Sequence, residues 1–278
     1  MSAKKTDKSA GKTPVSAVPA ATILMLRDGD DGMEVFMVVR HHEIDFASGA
    51  LVFPGGKADQ PDFDPRLQAH LDGADSDPDR RAIQVAAIRE AFEECGILLA
   101  RGEGQPDMLS GQRLASLAPY RLQLQDRDLT MLEFLQRENL RLACDRLTHF
   151  AHWITPENMP KRFDTHFFLA IAPKDHLAVH DGHESVDSVW IRPADALADG
   201  ESGKRTVIFP TLRNIAKLGA SATCQAAIAA AAKSPAVSVL PRIEKRADGT
   251  YLCIPVEAGY DISEMKLPPS AGGSMVAP

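Results

Sequence analysis

Apolar and polar residues recur along this chain with a changing period, and each change marks an element. Thr22 to Leu26 is an apolar run, Asp28 to Gly32 is rich in turn formers, and Met33 to Arg40 is apolar again, which predicts a hairpin. A third strand is predicted at Leu51 to Phe53, ending in Pro54 and a Gly55-Gly56 turn. From Pro78 the period becomes helical, with Ile83, Ala87, Ala91 and Cys95 forming a small apolar stripe. Asp77 is placed to cap that helix, Pro78 suits its first position and Gly96 is placed to end it. The Asp-, Pro- and Gly-rich segment 59–79 reads as a loop. Residues 105–147 predict added helices, with Leu129, Leu132, Leu135 and Leu140 as an apolar stripe suited to a core or a dimer face. Strands return around Trp153 and Phe167 and at Val186 to Ile191, followed by helices from near Pro193 and over Phe209 to Leu218. Arg242 to Ile254, centred on Ala247-Asp248-Gly249, carries a hairpin signal outside the catalytic core. This order predicts an α/β (α+β) protein with a mixed sheet between helices.

The same pattern divides the chain. Residues 1–20 are polar without periodicity and predict a disordered tail, 21–233 form one elaborated domain, and 234–278 form an extension with a hairpin. With 278 residues and 44% hydrophobic content, a core of ordinary size is available. A formal charge of −7 argues against a nucleic-acid partner. No apolar run approaches the roughly twenty residues of a membrane span. Cys95, Cys144, Cys224 and Cys253 form no C-x-x-C pair, which points to a reducing compartment without a zinc site, and a bacterial cytoplasm is the expected location.

Chemistry concentrates in Arg89-Glu90-Ala91-Phe92-Glu93-Glu94-Cys95-Gly96-Ile97. Glu90, Glu93 and Glu94 stand at i, i+3 and i+4, neighbours on one helix face. Like charges this close call for a cation, and a hard divalent ion such as Mg2+ or Mn2+ suits carboxylate oxygens. Arg89 precedes Glu93 by four residues and can orient a neighbouring carboxylate without filling the metal position. Three weaker features remain. Lys161 and Arg162 form a basic pair that can meet a substrate phosphate, and Arg40-His41-His42 can line a substrate entrance. His176, His180 and His183 are close enough in sequence for a transition metal, but without Cys/His pairing they read as solvated or hydrogen-bonding groups.

The run from Arg89 resembles the second half of the Nudix box, G-x5-E-x7-R-E-U-x-E-E-x-G-U with U apolar, at every specified position. Gly56 would open the box, but it lies thirty-three positions before Arg89 where the pattern has fourteen, an insertion of about nineteen residues. Eight residues before Arg89, where the pattern has its first glutamate, stands Arg81. A long insert at this place is similar to that of the coenzyme A diphosphatase branch of the family. Trp153-Ile154-Thr155-Pro156 and Arg162-Phe163-Asp164-Thr165-His166-Phe167-Phe168 resemble that branch's W-x-T-P and R-F-D-T-x-F-F passages. The resemblance covers roughly residues 20 to 220.

The resemblance implies a Nudix-type α/β/α sandwich with a helical insertion. It implies metal held by Gly55, through its carbonyl, and by Glu90, Glu93 and Glu94, with Arg89 as orienting partner. Either Glu90 or Glu184, where many family members place a further glutamate, would be the general base. The implied reaction is hydrolysis of the diphosphate in a small nucleotide, with coenzyme A or acyl-coenzyme A first and ADP-ribose, NADH or a nucleotide sugar as alternatives. Arg81 in the place of the box glutamate keeps open a catalytically inactive, nucleotide-binding module.

Overall fold

The computed structural model describes residues 15–40, 49–176, 178 and 185–267. Strand β1 (Val18–Gly29) turns into β2 (Gly32–Arg40) as the expected hairpin, with Gly29 opposite Gly32. Strand β1 begins inside the segment expected to be disordered, because Val18 to Leu26 pair in parallel with Phe163 to Ile171 of β9 (Phe163–Ile171). Strands β3 (Leu51–Val52) and β4 (Gly55–Lys57) pair with β2 and β1, and β8 (Thr148–Ile154), β10 (Ser185–Ile191) and β11 (Ser238–Val239) complete the sheet. Among the described residues this is an eight-stranded mixed sheet, running β10-β2-β1-β9-β8-β11 with β3 and β4 attached to β2 and β1.

Helices cover both faces. Ile23, Met25, Phe36 and Val38 meet Val85, Ile88 and Phe92 of helix α1 (Pro78–Cys95) on one side. Leu24, Leu26, Val35 and Met37 share the other side with residues of α5 (Pro193–Glu201), α6 (Phe209–Gly219) and α7 (Cys224–Lys233). Alternate residues of β1 therefore enter two cores, and the strand reads as an apolar run because neither face is wet. This is the α/β/α sandwich expected. Among the described residues no single helix is long and apolar enough to cross a membrane.

The insertions have more structure than the sequence pattern shows. Segment 59–79 is not a plain loop: it forms 3-10 turns at Gln60–Phe63 and Pro65–His70 and strand β5 (Leu71–Asp72), with Leu67 buried in the core. Strand β5 joins β6 (Ala100–Gly102) and β7 (Leu140–Ala143) in a small second sheet. Helices α2 (Gly111–Leu117), α3 (Tyr120–Gln125) and α4 (Met131–Glu138) pack on α1, with Phe134 stacked on Phe92 at 5.6 Å. Leu129, Leu132 and Leu135 belong to this core, and Leu140 stands on β7 instead of continuing a helical stripe. At the C-terminal end, β12 (Arg242–Arg246) and β13 (Gly249–Cys253) form the expected hairpin, extended by β14 (Glu264–Lys266). The segment is not apart from the core: β11 pairs with β8, and Leu252, Ile254 and Ala258 are buried beside Trp153.

Candidate active site

Helix α1 is built as its caps dictate. Asp77 accepts hydrogen bonds from the backbone amides of Asp79 and Arg80, Pro78 opens the first turn, and Gly96 closes the helix at φ 70° and ψ 14°. The expected stripe is only part of its buried surface, since most positions from Ala82 to Cys95 are enclosed. Charged residues are included in that enclosure. Arg89, Glu90, Glu93 and Glu94 are 7%, 9%, 5% and 4% exposed. A solvated acidic helix face is therefore excluded, because buried carboxylates at helical spacing need compensation.

Strand β4 supplies the floor of the site. Gly55 and Gly56 form a strand and not the expected turn, opposite Thr22 and Ala21 of β1. A Cβ on Gly55, whose φ is 157°, would lie 2.4 Å from the Ala21 carbonyl oxygen, and one on Gly56 would lie 2.5 Å from Glu90 Oε1. Only the absence of side chains allows β4 to lie this close to β1 and beneath the glutamates. The Gly55 amide also donates to Glu94 Oε2 at 3.0 Å.

Arg89 ties helix to floor. Its Nη1 approaches Glu90 at 2.9 Å and Glu93 at 3.1 Å, its Nη2 donates to the Lys57 carbonyl at 2.8 Å, and Nε and Nη2 donate to Asp62 at 3.0–3.3 Å. Asp62, 3% exposed, comes from the first 3-10 turn of the insert and also accepts from the Asp59 amide at 2.9 Å. It is the residue that sequence reading missed. Counting back from Arg89 through the insert lands on Arg81, but counting forward from Gly56 through G-x5-E lands on Asp62. Arg81 instead turns its Nη1 toward the Asp75 carbonyl. A carboxylate therefore fills the vacant place after all, near the start of the insert.

The electrostatics follow from burial. Asp62, Glu90 and Glu93 each meet the Arg89 guanidinium, and Glu94 is buried near them on the Gly55 amide. Burial lifts Asp62 above the ordinary carboxylate range and pushes Glu93 up to about 7, each against the pull of Arg89. Burial also works against charge on Arg89, but Glu90, Asp62 and Glu93 outweigh it and hold the guanidinium firmly protonated. One further contact fixes the helix end, where Arg121 of α3 donates to the Glu93 carbonyl through Nε and Nη2 at 3.1 and 2.9 Å.

The remaining sequence candidates are placed differently. Arg162 donates to the carbonyls of Val15 and Thr155 at 2.6 and 3.0 Å, near Phe163, which pairs with Val18. That lies three residues along β1 from Ala21 and on the opposite side of β1 from Gly56, roughly 14 Å from the glycine floor. Lys161 beside it is exposed. Arg40 ends β2 opposite Ser185. The Arg40 side chain, His41, His42, His180, His183 and Glu184 lie outside the described residues. His176 is buried and its Nε2 is 2.8 Å from the Leu109 carbonyl, the hydrogen-bonding role expected.

A glutamate-bearing helix, locked by an arginine over a Gly-Gly strand on a mixed three-layer sheet, defines a protein of the Nudix class. Within that class the chain belongs to the family of the NUDT19 Nudix domain, whose family model matches residues 66–218, more than half of the chain. Putative nudix hydrolase 7 of Caenorhabditis elegans is 27% identical over 189 residues, covering 66% of this chain and 55% of that protein. Acyl-coenzyme A diphosphatase NUDT19 of Xenopus laevis is 25% identical over 225 residues, covering 66% of this chain and 59% of that one. The chain thus spans between half and two thirds of the length of these relatives. A crystal structure of a Nudix hydrolase from Alicyclobacillus acidocaldarius superimposes with a TM-score of 0.63 at 28% identity, covering 77% of this chain and 96% of that one.

Proposed function

We propose that this protein is a divalent-metal-dependent diphosphohydrolase whose substrate is coenzyme A or an acyl-coenzyme A, cleaved to 3′,5′-ADP and (acyl-)phosphopantetheine. The observation that carries the reading is a buried set of four carboxylates, three of them on the Arg89 guanidinium and the fourth, Glu94, on the Gly55 amide. Hard oxygen donors whose negative charge exceeds that of the one arginine among them fit Mg2+ or Mn2+. Glu90, Glu93 and Glu94 with the Gly55 carbonyl would hold the ion. Bound there, it supplies positive charge to phosphate oxygens and lowers the pKa of the attacking water.

The protein's own groups then have separable roles. Arg89 directs its donors to Asp62, Glu90, Glu93 and the Lys57 carbonyl, so it aims the carboxylates and does not grip substrate. A general base takes the proton of the water that attacks phosphorus as the anhydride P–O bond breaks. Glu90, above Gly56, and Glu184 are the candidates. Arg40 at the substrate entrance and Lys161 and Arg162 at a substrate phosphate were the sequence candidates, and Arg162 donates to the carbonyls of Val15 and Thr155. Asp62 removes the ground for an inactive module, which rested on Arg81. The coenzyme A assignment draws on the activity for which the NUDT19 relatives are named and on the two passages around the end of β8 and the start of β9.

Product analysis by chromatography with mass detection tests the reading. The protein with Mg2+ or Mn2+ is offered coenzyme A, acetyl-coenzyme A, ADP-ribose, NADH and a nucleotide sugar separately. Metal-dependent 3′,5′-ADP from the coenzyme A samples supports it, AMP from ADP-ribose or NADH alone keeps the chemistry but overturns the substrate, and no product from any sample overturns both.

A further inference from the structure

A second group of chemistry-bearing side chains lies on the same face of the main sheet, outside the glutamate site. His152 on β8 pairs across the ladder with His166 on β9, and Asp164 is two residues before His166 on the same face. Ligand atoms of His152, Asp164 and His166 all lie within 4.8 Å of one another. The His152 and His166 rings are stacked, 4.0 Å between centroids and 10° between planes, so they must turn for their in-plane nitrogens to meet on one ion at bonds of about 2.0–2.2 Å. The three residues are half-buried, so an ion can enter without the group being a loose surface cluster.

Hydrogen bonds tie the group to its neighbours. His152 places Nδ1 2.7 Å from Ser238 Oγ and turns Nε2 to Asp164. His166 places Nδ1 3.0 Å from His149 Nε2, which leaves its own Nε2 for the interior of the group. An outer partner on one ring nitrogen fixes the orientation and tautomer of the other, the usual second layer behind a metal-binding imidazole. Arg80 also acts on His149 and His166, and it lies 3.9 Å from Asp75, so its charge is partly offset.

We propose that His152, Asp164 and His166 form a binding site for a first-row transition ion such as Zn2+ or Co2+, separate from the glutamate site. Two imidazoles and one carboxylate favour such ions over Mg2+, which prefers all-oxygen sites. The two sites share a sheet face: Ala21 is opposite Gly56 on one side and His166 on the other, which puts them about 10 Å apart, two strand spacings. That separation places the second ion within reach of the far end of an extended nucleotide bound at the glutamates.

The experiment uses the full chain, stripped with chelator and titrated with Co2+ and Zn2+. Binding is followed by Co2+ absorption and by the metal retained after gel filtration, in the parent and in a Glu93→Gln/Glu94→Gln variant. About one equivalent retained in that variant is expected, with affinity falling about tenfold or more when His166→Gln or Asp164→Asn is added. Retention that disappears with the glutamates, or is unchanged by the histidine and aspartate substitutions, overturns the proposal. As a check free of folding effects, carbethoxylation of His152 and His166 is mapped by mass spectrometry in the unaltered protein. Protection by Zn2+ but not by Mg2+ supports the site, and equal labelling with and without Zn2+ overturns it. Neither measurement depends on turnover, so failure here and failure of the hydrolase reading are distinguishable.

Discussion

At the scale of single residues, Asp62 and Arg81 make opposite predictions, and the difference measures how far the box could be read. Asp62 is enclosed with Arg89 at 3.0 Å, whereas Arg81 has a long contact to a carbonyl near the surface. Arg89 keeps Glu90 and Glu93 when Asp62 is removed, so the loss is that of buried hydrogen bonds to a charged group, about 1.5–3 kcal/mol. Asp62→Ala is therefore expected to lower the denaturant midpoint strongly and to release Arg89 from its aim, while Arg81→Ala should change stability by less than about 0.5 kcal/mol. Equal effects would refute the assignment. The two glycines divide in another way. Gly56→Ala drives a methyl group into the Glu90 carboxylate and should abolish turnover with little loss of fold. Gly55→Ala, strained at φ 157° and aimed at the Ala21 carbonyl, should cost stability by about 1–3 kcal/mol or more. Thermal melts beside a turnover assay separate the two. The glutamates, Arg89 and both glycines were legible because their spacing is local. Asp62 was not, since its tie to Arg89 crosses the insert and becomes visible only when both ends are folded. The histidine group was invisible for the same reason, because its members meet across a strand pair.

At the scale of elements, helix α1 shows what local sequence can and cannot carry. Its start and end were written in Asp77, Pro78 and Gly96, but the depth of its burial depends on α3, α4 and the sheet, whose contacts no periodicity encodes. Strand β4 was hidden for a related reason: Gly-Gly reads as a turn until β1 offers it a partner. Burying the carboxylate face of α1 has a pH signature. Glu93 titrates near 4.5 ordinarily and at about 7 in the fold. Between those values the folded chain holds more of that proton than the unfolded chain, so the Glu93 contribution favours folding at low pH and is lost as pH rises. His149 and His166, both pushed down to about 4 chiefly by burial, run the other way and gain stability as pH rises toward 6.5. The clean quantity is thus the stability difference between the metal-stripped parent and Glu93→Gln. It should shift against the parent by about 2–3 kcal/mol as pH rises from about 4.5 to 7, and saturating Mg2+ should flatten that slope. A difference that is constant with pH, or that shifts toward the parent, would show that Glu93 is not held near neutral in the fold.

At the scale of the whole molecule, the question is whether the stretch after Lys233 is an appendage, as hairpin signals alone imply, or part of what keeps the sandwich closed. Strand β11 extends the main sheet beyond β8, and Val239, Leu252 and Ile254 are buried in the core that also holds Trp153. Tyr260 adds a polar tie, accepting from Trp153 Nε1 at 2.7 Å and donating to Asn214 Oδ1 at 2.9 Å. Burying one aliphatic side chain of that size contributes about 1.5–3 kcal/mol. Three of them together reach the scale of a domain's entire net stability, about 5–15 kcal/mol. A chain ending at Lys233 should therefore fail to reach the native state, showing red-shifted tryptophan emission and aggregation, even though every glutamate of the candidate site is retained. Tyr260→Phe provides the graded control: it keeps the ring against Trp153, removes only the hydroxyl, and should cost about 1–3 kcal/mol because both partners lose a buried hydrogen bond. If the shortened chain instead melts cooperatively near the parent temperature, the sheet is closed without β11 and the C-terminal segment is structurally separate. That outcome would also weaken the metal site proposed on β8 and β9, whose His152 is oriented by Ser238 of β11. Loss of Zn2+ binding in a folded, shortened chain would then trace the ligand geometry to that one edge strand.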